Sequence, residues 1–156
     1  SINGLSRGAF RTFRNSVTRA LSSVPLRKIS IVACEKADSE DVQALINATT
    51  TIEILMINNI IRRCPQLHQV ILSVCNIDHE EVSLKKLDLK DNNIGEKGAS
   101  TLAEVLKMNT NIEILDLEDN GIGVKGASTL AKALRINTSL QTLVLRRMHW
   151  FWQSYW

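Results

Sequence analysis

Leucines and polar residues recur in a fixed order along the second half of this chain. Residues 84–111 read LKKLDLKDNNIGEKGASTLAEVLKMNTN, residues 112–139 read IEILDLEDNGIGVKGASTLAKALRINTS, and the two agree in 17 of 28 columns. A third copy opens at Leu140 with LQTLVL. A period of this length marks a stacked array, because each unit carries a hydrophobic face that only its neighbours can bury. Leu87, Asp88 and Leu89, like Leu115, Asp116 and Leu117 one period on, alternate apolar and polar side chains. That alternation predicts a short strand with leucines turned inward and the aspartate outward. Leu102, Val105 and Leu106 follow at i, i+3 and i+4, the stripe of an amphipathic helix. Asn92 and Asn120 stand at the turn between the two and are expected to bond open backbone groups there, stacking into a ladder. Gly95 and Gly98 are read as permitting that turn, and Ala103 as letting the helix lie close. Asn109 and Asn137 are read as ending the helix in the left-handed conformation that asparagine tolerates. One unit is strand, turn, helix, turn.

These motifs resemble the leucine-rich repeat family, in its 28-residue class that includes ribonuclease inhibitor, the Ran GTPase-activating proteins, tropomodulin and the NOD-like receptors. The resemblance implies an α/β fold: a right-handed solenoid, a segment of a horseshoe, with parallel strands on the concave face and helices on the convex face. It is near consensus over 84–145 and weaker before. In 26–83 two irregular repeats are expected. Leu26 opens LRKISIVAC, with Cys34 in the asparagine position, and Val42 and Leu45 mark the helix that follows. The next unit begins TIEILMI and repeats the IEIL of Ile112 to Leu115. In that second unit, Leu67, Val70, Ile71 and Val74 fit a helix stripe begun by Pro65. The same stretch also imitates the cysteine-containing strand of the repeats in F-box proteins; the helix is preferred, because a strand there leaves too few residues for a helix on either side. Residues 1–25, with Phe10, Phe13, Val17 and Leu21 at helical spacing, predict a basic amphipathic helix, a flanking half-repeat or cap. The alternative for that acid-free start is a mitochondrial presequence. Residues 146–156 form an aromatic tail outside the frame, read as a cap, an interaction patch or sequence foreign to the array.

Composition narrows the chemistry. The 156 residues are 44% hydrophobic but only 4% aromatic, so the core is aliphatic. No apolar run approaches the ~18 residues of a membrane span, which argues against a membrane partner. A net charge of +3 and the lack of an aromatic platform among the basic residues argue against nucleic acid. Cys34, Cys64 and Cys75 make neither an even disulfide framework nor a metal pair, which suits free thiols in the cytoplasm, with the nucleus as alternative. His68, His79 and His149 lack partner spacing. The GIGVKG of Gly121 to Gly126 recurs as NIGEKG at repeat spacing, so it reads as scaffold and not as a nucleotide loop. No catalytic residue, metal or cofactor is expected.

The solvent side of the strands remains. It is expected to display Lys86, Asp88 and Lys90, then Ile114, Asp116 and Glu118, then Val144 and Arg146, as a mixed protein-binding face over the structural residues Leu87, Leu89, Leu115, Leu117, Asn92 and Asn120. The function read from this is a non-enzymatic, monomeric protein-interaction module that binds a protein through its concave face. The alternatives, implied by the resemblance alone, are a GTPase regulator like the Ran GTPase-activating proteins and the sensor segment of a NOD-like receptor. An actin-capping role like that of tropomodulin ranks below these.

Overall fold

A computed structural model describes residues 12, 15–16, 27–32, 52–58 and 84–147. Its strands are β1 (Lys28–Val32), β2 (Ile54–Asn58), β3 (Lys86–Asp88), β4 (Ile114–Asp116) and β5 (Thr142–Val144), and its helices are α1 (Gly95–Met108) and α2 (Gly123–Leu134). The strands form one sheet in chain order, every neighbour parallel. Register stacks like on like: Leu55, Leu87, Leu115 and Leu143 are successive partners. Strands of three residues are marginal alone; burial of the leucine columns supplies the stability, about 1.5–3 kcal/mol for each fully buried side chain. Leu55, Leu87 and Leu115, with Ile57, Leu89 and Leu117 two residues on, are at most 1% exposed.

Helix α1 closes the core with Ala99, Leu102, Ala103, Val105 and Leu106, all buried, as the stripe requires. In α2 the buried set is smaller, Gly126, Leu130 and Ala133. Neither helix has a side-chain N-cap. Instead the Gly95 N–H donates to the Asn120 carbonyl (2.9 Å), so the following turn supplies the acceptor that the start of α1 lacks.

The asparagines at the turns act as expected. Asn92 Nδ2 donates to the carbonyls of Ile57 and Leu89, and Asn120 Nδ2 donates to that of Leu89 (2.8 Å). Asn120 Oδ1 accepts the Asn92 N–H (3.0 Å), which joins successive rungs. Two turn expectations are corrected. Asn109 is extended, at φ −76° and ψ 126°, not left-handed. Its Oδ1 accepts the N–H groups of Asn111 and Ile112, as that of Asn137 accepts those of Ser139 and Leu140. Asparagine stands there for its side-chain acceptor, not its backbone freedom. Positive φ falls instead at alternate residues between strand and helix: Asp91, Asn93 and Gly95, then Asp119, Gly121 and Gly123, then Arg147. Gly98 is helical, and a Cβ on it would meet Ile94 Cγ2, so this glycine accommodates a close side chain and not the turn.

Of the expected N-terminal helix, Thr12, Asn15 and Ser16 are described and are helical. The strands expected after Leu26 and Thr51 are present as β1 and β2. The segment 67–75, the cysteines, the histidines and the aromatic tail from Met148 lie outside the described residues. Among the described residues no helix is long and apolar enough to cross a membrane.

Candidate functional site

With the leucine columns buried, alternate strand residues line the open face of the sheet, and the register arranges them in rows. The first row runs Lys28, Ile54, Lys86, Ile114, Thr142. It alternates cationic and apolar side chains before ending on threonine, and every member is half-buried or exposed. Of the expected binding residues, Lys86 and Ile114 are therefore adjacent and accessible.

The second row runs Ser30, Met56, Asp88, Asp116, Val144. Asp88 departs from expectation: it is 6% exposed. Its Oδ1 accepts the Lys90 N–H (3.2 Å), and the Asn58 amide nitrogen, turned toward it, reaches the same oxygen at 3.0 Å. Asp116 repeats the arrangement by accepting the Glu118 N–H (2.9 Å). The chain leaves the sheet at this point, and an aspartate that bonds the amide two residues on replaces the lost ladder partner. Both aspartates occupy an identical column of the two repeats. That identity was the available sign that they belong to the frame.

The third row is Lys90, Glu118 and Arg146. Lys90 Nζ lies 3.0 Å from Glu118 Oε2, and Arg146 approaches the same oxygen at 3.9 Å. The expected row of alternating sign is present, but Glu118 is 8% exposed and is not displayed to a partner. It is clasped between the layers on either side. The hydrogen bond from Lys90 holds its carboxyl below the usual glutamate range; burial opposes the shift, while the charges of Lys90, Arg146 and Arg147 add to it. Lys90 and Arg146 keep exposed side chains on either side of it.

The sequence reading missed a second charge ladder at the rim where the strands begin. Arg27 approaches Glu53 (3.7 Å), and Lys85 bonds Glu113 (2.5 Å). Arg147 approaches Asp119 (3.7 Å) at the opposite rim. The signal was a change of sign at one column from copy to copy. Each pair is exposed and worth about 0–1 kcal/mol, so these ladders tune the stacking of layers more than they stabilise it. Among the described residues no three His, Cys, Asp or Glu side chains gather to hold a metal, and no buried side-chain polar atom lacks a hydrogen bond. The face offers shape, apolar contact and charge of both signs.

Comparison with known proteins agrees with this geometry. The Leucine Rich repeat family model matches residues 82–103 and 109–131. No curated protein matches the sequence. Among solved structures, the chain is similar to leiomodin-1 actin-binding site 2, with a TM-score of 0.70 at 18% identity, covering 92% of this chain and 81% of that one. It is similar also to the tropomodulin C-terminal domain from Caenorhabditis elegans, with a TM-score of 0.67 at 15% identity, covering 87% and 84%. At those identities the likeness is one of fold. A 28-residue period, a parallel sheet in chain order, an asparagine ladder and two matched repeats together give this chain the leucine-rich-repeat solenoid fold.

Proposed function

We propose that the solenoid is a non-enzymatic protein-binding module, working as a cytoplasmic monomer, that takes its partner on the concave strand face. The observation that supports this reading is the contrast between constant frame and varied face. The leucine column is repeated from layer to layer, and aspartate and asparagine recur in the layers of β3 and β4, while the accessible first row changes from Lys86 to Ile114 to Thr142. In this reading Lys86, Ile114 and Val144 supply contact, Lys90 and Arg146 supply charge, Asp116 contributes its exposed edge, and Asp88 and Glu118 shape the floor beneath. Affinity capture that compares the wild-type chain with a Lys86→Glu/Ile114→Lys/Thr142→Glu variant tests it. The expected result is loss of the captured protein with an unchanged melting temperature. Equal capture by both would overturn the strand-face reading.

A second reading names actin as the partner, because the leiomodin-1 structure that this chain resembles over 92% of its length is an actin-binding site. Co-sedimentation with filamentous actin, and gel filtration with monomeric actin, test that identity separately from the surface. Binding abolished by the same triple variant would join the two readings. Absence of binding to either form would remove actin and leave the strand face to be tested with another protein.

A further inference from the structure

The open strand face sorts its charges by sign. Its carboxylates are engaged by the frame: Asp88 and Glu118 are 6% and 8% exposed, the first accepting the Lys90 N–H and the second bonded by Lys90 Nζ. Half-buried Asp116 accepts the Glu118 N–H. The cations of the first row are not engaged. Lys85, Lys90 and Lys107 each bond a carboxylate, whereas Lys28 and Lys86 make no ion pair or side-chain hydrogen bond with any described residue. That row, from Lys28 to Thr142, holds no carboxylate of its own.

Apolar side chains separate those cations. Ile54 lies between Lys28 and Lys86 in register, and Ile114 follows Lys86. The frame does not require isoleucine there, since the same column holds lysine and threonine in other layers. Nor does the end of the array expose them: Ile54, Lys86 and Ile114 stand on strands with a described strand on each side and are still only half-buried. Neighbouring strands lie about 4.8 Å apart, so the row sets a cation, an isoleucine, a cation and an isoleucine at about 0, 4.8, 9.6 and 14.4 Å. An extended segment laid along the row repeats one face every ~6.7 Å and falls out of step at once. A helix rises about 1.5 Å per residue, so its positions i, i+3, i+7 and i+10 come at about 0, 4.5, 10.5 and 15 Å, within an arc of about 80°. The helical spacing matches the row.

We infer that the first row receives an acidic amphipathic helix of the partner protein, laid across the strands, an inference that rests on the strand-face reading above. Asp or Glu at i and i+7 would meet Lys28 and Lys86, and apolar side chains at i+3 and i+10 would meet Ile54 and Ile114. A nucleic-acid backbone matches less well, because it sets no apolar group between its charges. The probe is a side-chain-stapled helix of alanine and glutamine with Glu at i and i+7 and Leu at i+3 and i+10, titrated by fluorescence anisotropy against the full chain. Binding is expected, and a peptide with its glutamates moved to i+2 and i+9, on the opposite face, should bind about fivefold more weakly at low salt, as two exposed ion pairs allow. Lys28→Glu/Lys86→Glu in the protein should turn the preference toward a peptide with Lys at i and i+7, and Ile54→Ser/Ile114→Ser should weaken binding of every peptide. Absence of binding, equal binding of the two acidic peptides, or displacement by a single-stranded oligonucleotide would overturn the inference. Affinity capture separates it from the reading it rests on. A protein lost with Lys86→Glu/Ile114→Lys/Thr142→Glu but captured in full by Lys28→Gln/Lys86→Gln would leave the strand face standing and remove the acidic helix; full capture by both variants would remove both.

Discussion

Leu106 and Leu134 occupy the same column of two repeats, and so do Ala103 and Ala131, yet the first member of each pair is sealed and the second is not. The helices around them read GEKGASTLAEVL and GVKGASTLAKAL, so local propensity cannot account for the difference. What differs is the neighbour: α1 has α2 on its outer side, while no described helix lies beyond α2. In a solenoid the energy of a residue belongs to the interface between layers, and stability is close to a sum of unit terms and nearest-neighbour terms. The contrast extends to charge, since Lys107 has an intrahelical carboxylate and Arg135 has a lysine in its place.

The comparison is broken most directly by truncating both leucines. Leu106→Ala empties a site 1% exposed and is expected to cost about 3 kcal/mol, whereas Leu134→Ala at a half-buried site should cost about half that or less. Urea unfolding of the two variants checks this. Equal costs would mean that the outer face of α2 is covered in solution.

The glycines sharpen the same contrast at a smaller scale. A Cβ at Gly126 would lie 2.7 Å from Ile122 Cγ2, 2.9 Å from Ala99 Cβ and 3.4 Å from Glu96 Cα. Alanine 99 has no rotamer to move, so Gly126→Ala must push α1 and α2 apart, at about 2 kcal/mol after the gain in helix propensity. At Gly98 the clash is with the side chain of half-buried Ile94 alone. A rotamer change can relieve it, and Gly98→Ala is expected to cost less than about 1 kcal/mol. Thermal melts that rank the two in the reverse order would remove the argument that Gly126 is an interlayer contact.

Much of this was legible in the sequence, and what was not has a common cause. The leucine columns, the helix stripe, the asparagine ladder and the parallel register follow from a period that each unit states on its own. Asp88 and Glu118 were misplaced because their burial depends on groups 28 or more residues away: the Asn58 amide above one, and Lys90 with Arg146 on either side of the other. Asn109 was assigned the right place for the wrong reason, because a side-chain acceptor and a left-handed backbone draw on the same residue type. The open face of α2 is invisible to any reading that treats repeats as equivalent. Along the strand face the sequence is enough to set out the rows, but it could not separate aspartates that serve the turn from side chains that the strands leave exposed.

Glu118 gives the smallest and most specific test, since its counterparts in the neighbouring layers are cations and its effect is wholly between layers. Its folded pKa is lowered, chiefly by the Lys90 hydrogen bond, so the stabilisation it brings is present above the ordinary glutamate range. That contribution is lost as pH falls through that range, about 4.3 for an unperturbed glutamate, and on through the lowered folded value. Glu118→Gln keeps the shape and removes the charge. The variant should therefore be less stable than the wild type at neutral pH, and the gap should narrow as the solution is acidified past the carboxylate range. Lys90→Met should behave in the same way and, combined with Glu118→Gln, should add little, because the two groups share one interaction. Urea midpoints measured at neutral and acid pH decide the matter. A gap that is constant with pH, or costs that simply add, would show that Lys90 and Glu118 are independent surface charges and that the two layers are joined by their leucines and asparagines alone.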